Sequence, residues 1–230
     1  HLDRLMIRRL KKDVLSLPEK MHIPVYVDFH PEQAKLYRQA VEELKIDMPG
    51  PEASPMELEN HLTKMLRLKQ ICGTTATIEG YEDHSYKLDR AVEMIEEICQ
   101  PPSGRGEHVV VFTQFRGVLQ AMANRLAGRG LPIYQLHGNV PQNSRVEVVR
   151  TWADGQPAVM LAMLQVAGVG LNMTAASKAI FLDKLYVPKL NEQAEDRLHR
   201  IGATETVQIY EIVVRKSIEQ RIETILRRKR

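Results

Sequence analysis

Between residues 108 and 214, short apolar runs alternate with helical patterns, and that alternation leaves the chain very few folds. The runs fall at about 108–112, 132–136, 158–162, 178–182 and 207–214, with helices reading between them at about 116–128, 142–153, 165–172 and 189–201. Strands separated by helices are βαβ units. Their strands run parallel, because each crossover helix carries the chain back to the end of the sheet from which it started. A further amphipathic helix at about 86–99, with Leu88, Val92, Ile95 and Ile98 on one stripe, precedes the first run. Residues 85–215 therefore read as an α/β unit, a parallel sheet with flanking helices. In such sheets reactive groups gather at the carboxyl ends of the strands. That rule selects Thr113 and Gln114, then His137, Gly138 and Asn139, then the stretch from Gln165 to Asn172, then Asp183 and Lys184.

The flanking segments read differently. Residues 1–30 form a leading segment and a strand at about 23–29. Pro31 followed by Glu32 opens a helix to about residue 46, since proline suits a first turn and an acidic side chain suits the helix dipole there. A breaker-rich linker at 47–56 leads to a second helix at about 57–72, with Leu58, Leu62, Met65, Leu66 and Ile71 as its apolar positions. Residues 31–84 thus read as a helical insertion and 216–230 as a basic C-terminal helix. Residues 1–12 and 216–230 each carry four more basic than acidic side chains, leaving a mildly acidic body within a net charge of +3. Basic ends suit nucleic acid phosphate, and they suit solvated helix termini equally well. The two cysteines, Cys72 and Cys99, form no C-x-x-C and have no histidine at metal spacing, so reduced buried thiols in an intracellular protein are expected and no metal site is. No apolar run reaches membrane-spanning length.

The sharpest local feature runs from Asn191 to Gly202. On a helix, Gln193, Arg197 and Arg200 share one face, Ala194, Leu198 and Ile201 form the neighbouring apolar stripe, and Gly202 suits the C-terminal cap. Two guanidiniums and an amide on one face can clamp phosphoryl oxygens. The same spacing also describes an arginine face turned to water. The string Gln193-Ala194-Glu195-Asp196-Arg197-Leu198-His199-Arg200-Ile201-Gly202, however, closely resembles the last motif of Swi/Snf-family helicase-like ATPases. Other segments carry the same resemblance. They are Leu5 to Val14 with Leu17-Pro18-Glu19-Lys20, Leu66 to Cys72, Ser85 to Leu88, Val110 to Phe115, Leu136-His137-Gly138 with Arg145, Ala167 to Ala176, and Ser217 to Ile222. The chain departs from the family at Met163-Leu164, where Ser or Thr and Arg are usual. It departs again at Tyr186-Val187 in place of Trp-Asn, and at Ala203 in place of Gln.

The resemblance implies a RecA-like second lobe with a helical insertion and a C-terminal brace helix. It implies Arg197 and Arg200 as arginine fingers on ATP, with Gln193, Gly168, Gly170, Asn172 and Asp183 at the nucleotide. It implies Thr113, Gln114, Arg116, His137, Gly138 and Gln165 on double-stranded DNA. ATP and Mg2+ would be held mainly by a preceding RecA-like lobe, the other partner, and the chain itself is expected to be monomeric. The compartment implied is cytoplasm or nucleoid in a prokaryote or phage, and the nucleus in a eukaryote. No G-x-x-x-x-G-K-[ST] string and no acidic D-E-x-x box occur in the chain, so the chain alone is expected to bind ATP weakly and to hydrolyse none. Two other readings stay open. One is a non-catalytic RecA-like scaffold. The other is an unrelated doubly wound transferase, against which the absence of G-x-G-x-x-G after the first strand weighs.

Overall fold

The computed structural model describes residues 18–43, 55–102, 104–167, 170–203 and 205–228. The basic leading segment, most of the 47–56 linker, Gly168, Lys229 and Arg230 lie outside the described residues. Six strands form one sheet: β1 (Lys20–Val27), β2 (Val109–Thr113), β3 (Ile133–Leu136), β4 (Val159–Met163), β5 (Lys178–Phe181) and β6 (Val207–Val214). Every pairing is parallel and the order is β1-β6-β5-β2-β4-β3. The helices are α1 (Pro31–Glu43), α2 (Pro55–Gly73), α3 (Tyr86–Cys99), α4 (Arg116–Leu126), α5 (Gln142–Asp154), the single turn α6 (Leu164–Ala167), α7 (Pro188–Glu195) and α8 (Ile218–Arg228).

The expected α/β parallel sheet is thus present, RecA-like in architecture. β2 is buried along its whole length, as its unbroken Val-Val-Val-Phe-Thr run requires of a strand covered on both faces. One core layer joins Leu88, Val92 and Ile95 of α3, Val118, Leu119 and Met122 of α4, and one sheet face. The other gathers Trp152 of α5, Ala194 of α7 and Leu198 against Phe112, Met160 and Ile209. Both cysteines are buried free thiols, and burial pushes Cys99 up to about 12 and Cys72 well above the ordinary thiol range.

The first strand lies three residues earlier than its apolar alternation suggests. Pairing, and not its own pattern, sets its limits: Lys20 stands beside Val207 and Val27 beside Val214, in step with the whole of β6. Helices α1 and α2 build a small core of their own from Leu36, Ala40, Leu68, Ile71 and Ile78. One polar contact joins the two helices to each other and a second ties them to the start of α8. The buried Gln33 amide donates to the carbonyls of Ile71 and Cys72, and the Tyr37 hydroxyl accepts from the backbone N–H of Ile218 at 2.8 Å.

A buried ion pair ties the helices over the strand ends. Ser85 caps α3 by accepting from Leu88, which sets Lys87 pointing inward. The Lys87 ammonium donates to the Leu182 carbonyl at 2.6 Å and to both Glu219 oxygens at 2.6 and 2.7 Å, and Glu219 also accepts from the Val214 N–H. One lysine thereby joins α3, the end of β5, the end of β6 and α8. Removing one partner of a buried ion pair leaves the other charge uncompensated, at about 3–5 kcal/mol. Lys87→Met is expected to destabilise the chain by that order in urea denaturation, and the double variant Lys87→Met/Glu219→Gln to recover part of the loss.

Candidate functional site

Two groups of candidate residues occupy opposite ends of the sheet. At the carboxyl ends, β3 and β4 lie to one side of β2 and β5 and β6 to the other, so the strand order reverses beside β2. A crevice opens at such a reversal. There the Thr113 hydroxyl donates to Asp183 Oδ2 at 2.5 Å, and Gln114 donates to Asp183 Oδ1 through its backbone N–H at 3.1 Å and its side-chain amide at 2.8 Å. The Gln114 amide also reaches the Lys184 carbonyl, which accepts from the buried Lys69 ammonium as well. Lys69 lies 4.8 Å from the centre of the Tyr186 ring, so the aromatic at this departure from the family motif faces a cation. Burial lowers the pKa of Lys69.

Two of the expected site residues are drawn inward. Thr113 is 1% exposed and its hydroxyl also accepts from the Phe115 N–H, so it orients the rim from beneath and offers no direct surface to a DNA phosphate. Asp183 is 6% exposed, with both carboxylate oxygens engaged by Thr113 and Gln114, so in this structure it organises the rim and presents no outward acceptor to a nucleotide.

The surface of the rim is polar. Arg116, exposed at the start of α4, donates to Asn139 Oδ1 at 2.9 Å. The Asn139 N–H points at His137 Nδ1, Gly138 is exposed between them, and Arg145 braces the turn through the Val140 carbonyl. Gln165 is exposed on α6, whose regular part covers Leu164–Ala167 and not the whole of 165–172. Past α6, on the way to the start of β5, Gly170 has φ of 59°, a left-handed conformation that disfavours a side chain, and Asn172 is exposed with its side-chain oxygen toward the Thr174 N–H.

The second group lies toward the amino ends of the strands. Helix α7 stops at Glu195, so Arg197 and Arg200 do not continue the helical face that Gln193 begins. Tight turns replace it: Arg197 N–H bonds the Ala194 carbonyl, Arg200 N–H bonds Leu198, and Gly202 has φ of 105°. The turn is pinned at three places. The Arg197 carbonyl accepts from the Met173 N–H at 2.9 Å, a His199 ring nitrogen lies 2.7 Å from the Pro18 carbonyl, and Leu198 is buried in the core. Arg200 is exposed, while Arg197 and Gln193 are half-buried. The backbone contact to Met173 brings the arginine turn against the end of the glycine stretch, two segments far apart in sequence.

Several organising residues escape a reading by motif. Asn191 is buried and grips the 185–187 loop, accepting from the Leu185 N–H and donating to the Leu185 carbonyl, both at 2.9 Å. Glu195 and Glu211 are buried carboxylates met by Lys20, His22 and Lys184. The one available signal was Glu211 itself, a charge inside the otherwise uncharged strand Val-Gln-Ile-Tyr-Glu-Ile-Val-Val.

Comparison with known proteins accords with this geometry. Residues 87–202 match the helicase conserved C-terminal domain, and residues 1–77 match the SNF2-related domain. An uncharacterized ATP-dependent helicase of Mycoplasma pneumoniae is 31% identical over 223 residues, covering 94% of this chain and 21% of that protein. A putative ATP-dependent helicase/translocase of Bacillus subtilis is 29% identical, covering 97% of this chain and 25% of the relative. The SWI2/SNF2 ATPase core of Sulfolobus solfataricus, solved in complex with dsDNA, superposes with a TM-score of 0.77 at 28% identity over 99% of this chain and 48% of that one. A C-terminal domain of a SWI2/SNF2 ATPase from the same organism shares the fold, with a TM-score of 0.74 over 92% of this chain and 86% of that one. The fold and these matches define a helicase C-terminal lobe. The chain belongs to the Swi2/Snf2 family of helicase-like ATPases. It spans about a fifth to a quarter of the length of these curated relatives.

The Glu211 carboxyl sits well below the ordinary glutamate value. Burial opposes ionisation, but the hydrogen bond from His22 and the Lys184 ammonium outweigh it and hold the group at about 2. A folded value below the unfolded one of about 4.5 contributes stability above pH 4.5, and that contribution is lost as pH falls toward 2. The stability gap between the wild type and Glu211→Gln, measured by denaturation across pH, is expected to be about 3 kcal/mol near neutrality and to shrink through that window.

Proposed function

We propose that this chain is the second motor lobe of an ATP-dependent double-stranded DNA translocase and that it works against a preceding RecA-like lobe. The observation that carries this reading is the arginine turn. Its backbone is fixed by Met173 and by His199 on Pro18, while Arg200 projects into solvent. A rigid base under an exposed guanidinium is what a phosphate clamp acting across a cleft requires, and arginine fingers of this kind contribute about 10³–10⁵ in rate. ATP with Mg2+ supplies the phosphoryl group whose hydrolysis drives such a motor. Arg197 and Arg200 fit its anionic oxygens, whereas the nearest buried carboxylate, Glu195, is already committed to Lys20 and His22, so the metal would be held by the other lobe. Gln193 and the Gly170–Asn172 stretch border the same region.

At the opposite end of the sheet, Arg116, Gln114, His137, Gly138 and Gln165 form the face offered to a DNA backbone, with Asp183 and Thr113 setting the position of Gln114 and Arg116 held on Asn139. Amides, an imidazole, a guanidinium and backbone groups can all bond phosphate oxygens, and contacts kept to the backbone would make motion along the duplex indifferent to sequence. The likeness to the core solved with dsDNA supports a duplex substrate. We place the protein inside the cell on the same grounds.

The test is DNA-stimulated ATP turnover by the two-lobed protein. Arg200→Ala is expected to lower it about a hundredfold or more, and the isolated lobe to show none. Unchanged turnover in Arg200→Ala would remove the finger assignment and favour a non-catalytic scaffold.

A further inference from the structure

The two groups of site residues sit at opposite ends of the sheet, and one run of paired charges, built on two buried carboxylates, spans the gap. Helix α7 delivers Glu195, 1% exposed, two residues before Arg197. Glu195 Oε2 accepts from the Lys20 ammonium at 2.8 Å and lies 3.6 Å from His22 Nε2. The other ring nitrogen of His22, Nδ1, is 2.9 Å from Glu211 Oε1. Glu211 in turn pairs with the Lys184 ammonium. The Lys184 carbonyl is the acceptor of Gln114 and Lys69, and its neighbour Asp183 holds Thr113 and Gln114.

Strand alternation explains why these groups meet. Lys20 and His22 occupy alternate positions of β1 and so share a face, while Glu211 shares its face of β6 with Val207 and Ile209, which pack in the α7 layer. Glu211 lies four positions beyond Val207, which is about 13 Å along a strand. The run therefore starts beneath the arginine turn and ends at the rim. Charge alternates along it: Lys20 and His22 against Glu195, His22 and Lys184 against Glu211.

We propose that Glu195, His22 and Glu211 are positioning residues that couple the nucleotide turn to the DNA-facing rim. The inference rests on the translocase reading above. His22 is the link common to both carboxylates. A shift of the 183–185 loop moves the Lys184 ammonium on Glu211, Glu211 moves the His22 ring, and the ring and Lys20 set Glu195 and hence the turn that carries Arg197 and Arg200. Such a chain of pairs on buried carboxylates resists continuous deformation, because a carboxylate that loses one of its cations keeps only part of its compensation in the interior.

Coupling between two ligands is reciprocal and is read as the factor by which one changes the affinity of the other, typically about 5–150-fold. The experiment measures binding of a non-hydrolysable ATP analogue to the two-lobed protein, with and without a DNA duplex, in the wild type, His22→Gln and Glu211→Gln. The expected result is a wild-type factor of about fivefold or more that collapses toward one in both variants, while the affinity for each ligand alone changes little. The double variant is expected to lose no more than either single one, because both break the same path. A residue that only holds the fold would lower the affinity for each ligand alone and leave the factor intact. That outcome, or a full wild-type factor in folded His22→Gln, overturns the relay and leaves the translocase reading standing. A wild-type protein that binds neither ligand overturns the reading beneath it, and a factor of one in the wild type removes the relay with it. Thermal melts of both variants show that the comparison is made between folded proteins.

Discussion

Six strands running the same way impose a polarity that governs everything else in this lobe. All strand beginnings lie at one edge and all strand ends at the other, so segments that leave the sheet are sorted by direction. The Thr113–Gln114, His137–Asn139 and Asp183–Lys184 segments follow strand ends and share one rim. The arginine turn precedes β6, the glycine stretch precedes β5, and Pro18 precedes β1, so these three gather at the other edge. The separation of a clamp for nucleotide from a face for nucleic acid is thus a property of parallel pairing before it is a property of any side chain.

Much of this was legible in the sequence, for identifiable reasons. Strands β2, β4 and β5 announce themselves because both of their faces are buried, and β3 and β6 by their short apolar runs, β6 occupying the whole of residues 207–214. Where the reading slipped, a long-range partner overruled a local pattern. β1 begins at Lys20 because β6 begins at Val207, although Lys20 and His22 look nothing like strand interior. Helix α7 ends at Glu195 although the apolar stripe of Ala194 and Leu198 continues, because the carbonyl of Arg197 is claimed by Met173 and the chain must turn to offer it. The inward set of Thr113 and Asp183 was invisible for a related reason. A hydroxyl or carboxylate at a strand end reads as an available ligand until the groups that consume it are known.

The departures from the family motifs also take on physical meaning. Tyr186 faces the Lys69 ammonium, so an aromatic face is kept where the family has tryptophan. Val187 is exposed at the start of α7, and the polar work of that loop is done instead by the buried Asn191. Met163 and Leu164 pass directly from strand into the single turn of α6, Leu164 being buried, so the polar outlook of that stretch falls to Gln165.

The Lys87–Glu219 pair has a bearing on how the lobe comes into being during synthesis. The two residues stand 132 positions apart, and β1 finds its one neighbour among the described residues, β6, across an even longer stretch of chain. A nascent chain that has emerged through β5 holds an edge strand with no ladder and an interior ammonium with no counter-ion. Contacts of such sequence separation form late and slow folding down. Closure of the lobe therefore waits for α8 to leave the ribosome, and until then the apolar surfaces that β6 and α8 are meant to cover are open to chaperones or to neighbouring chains.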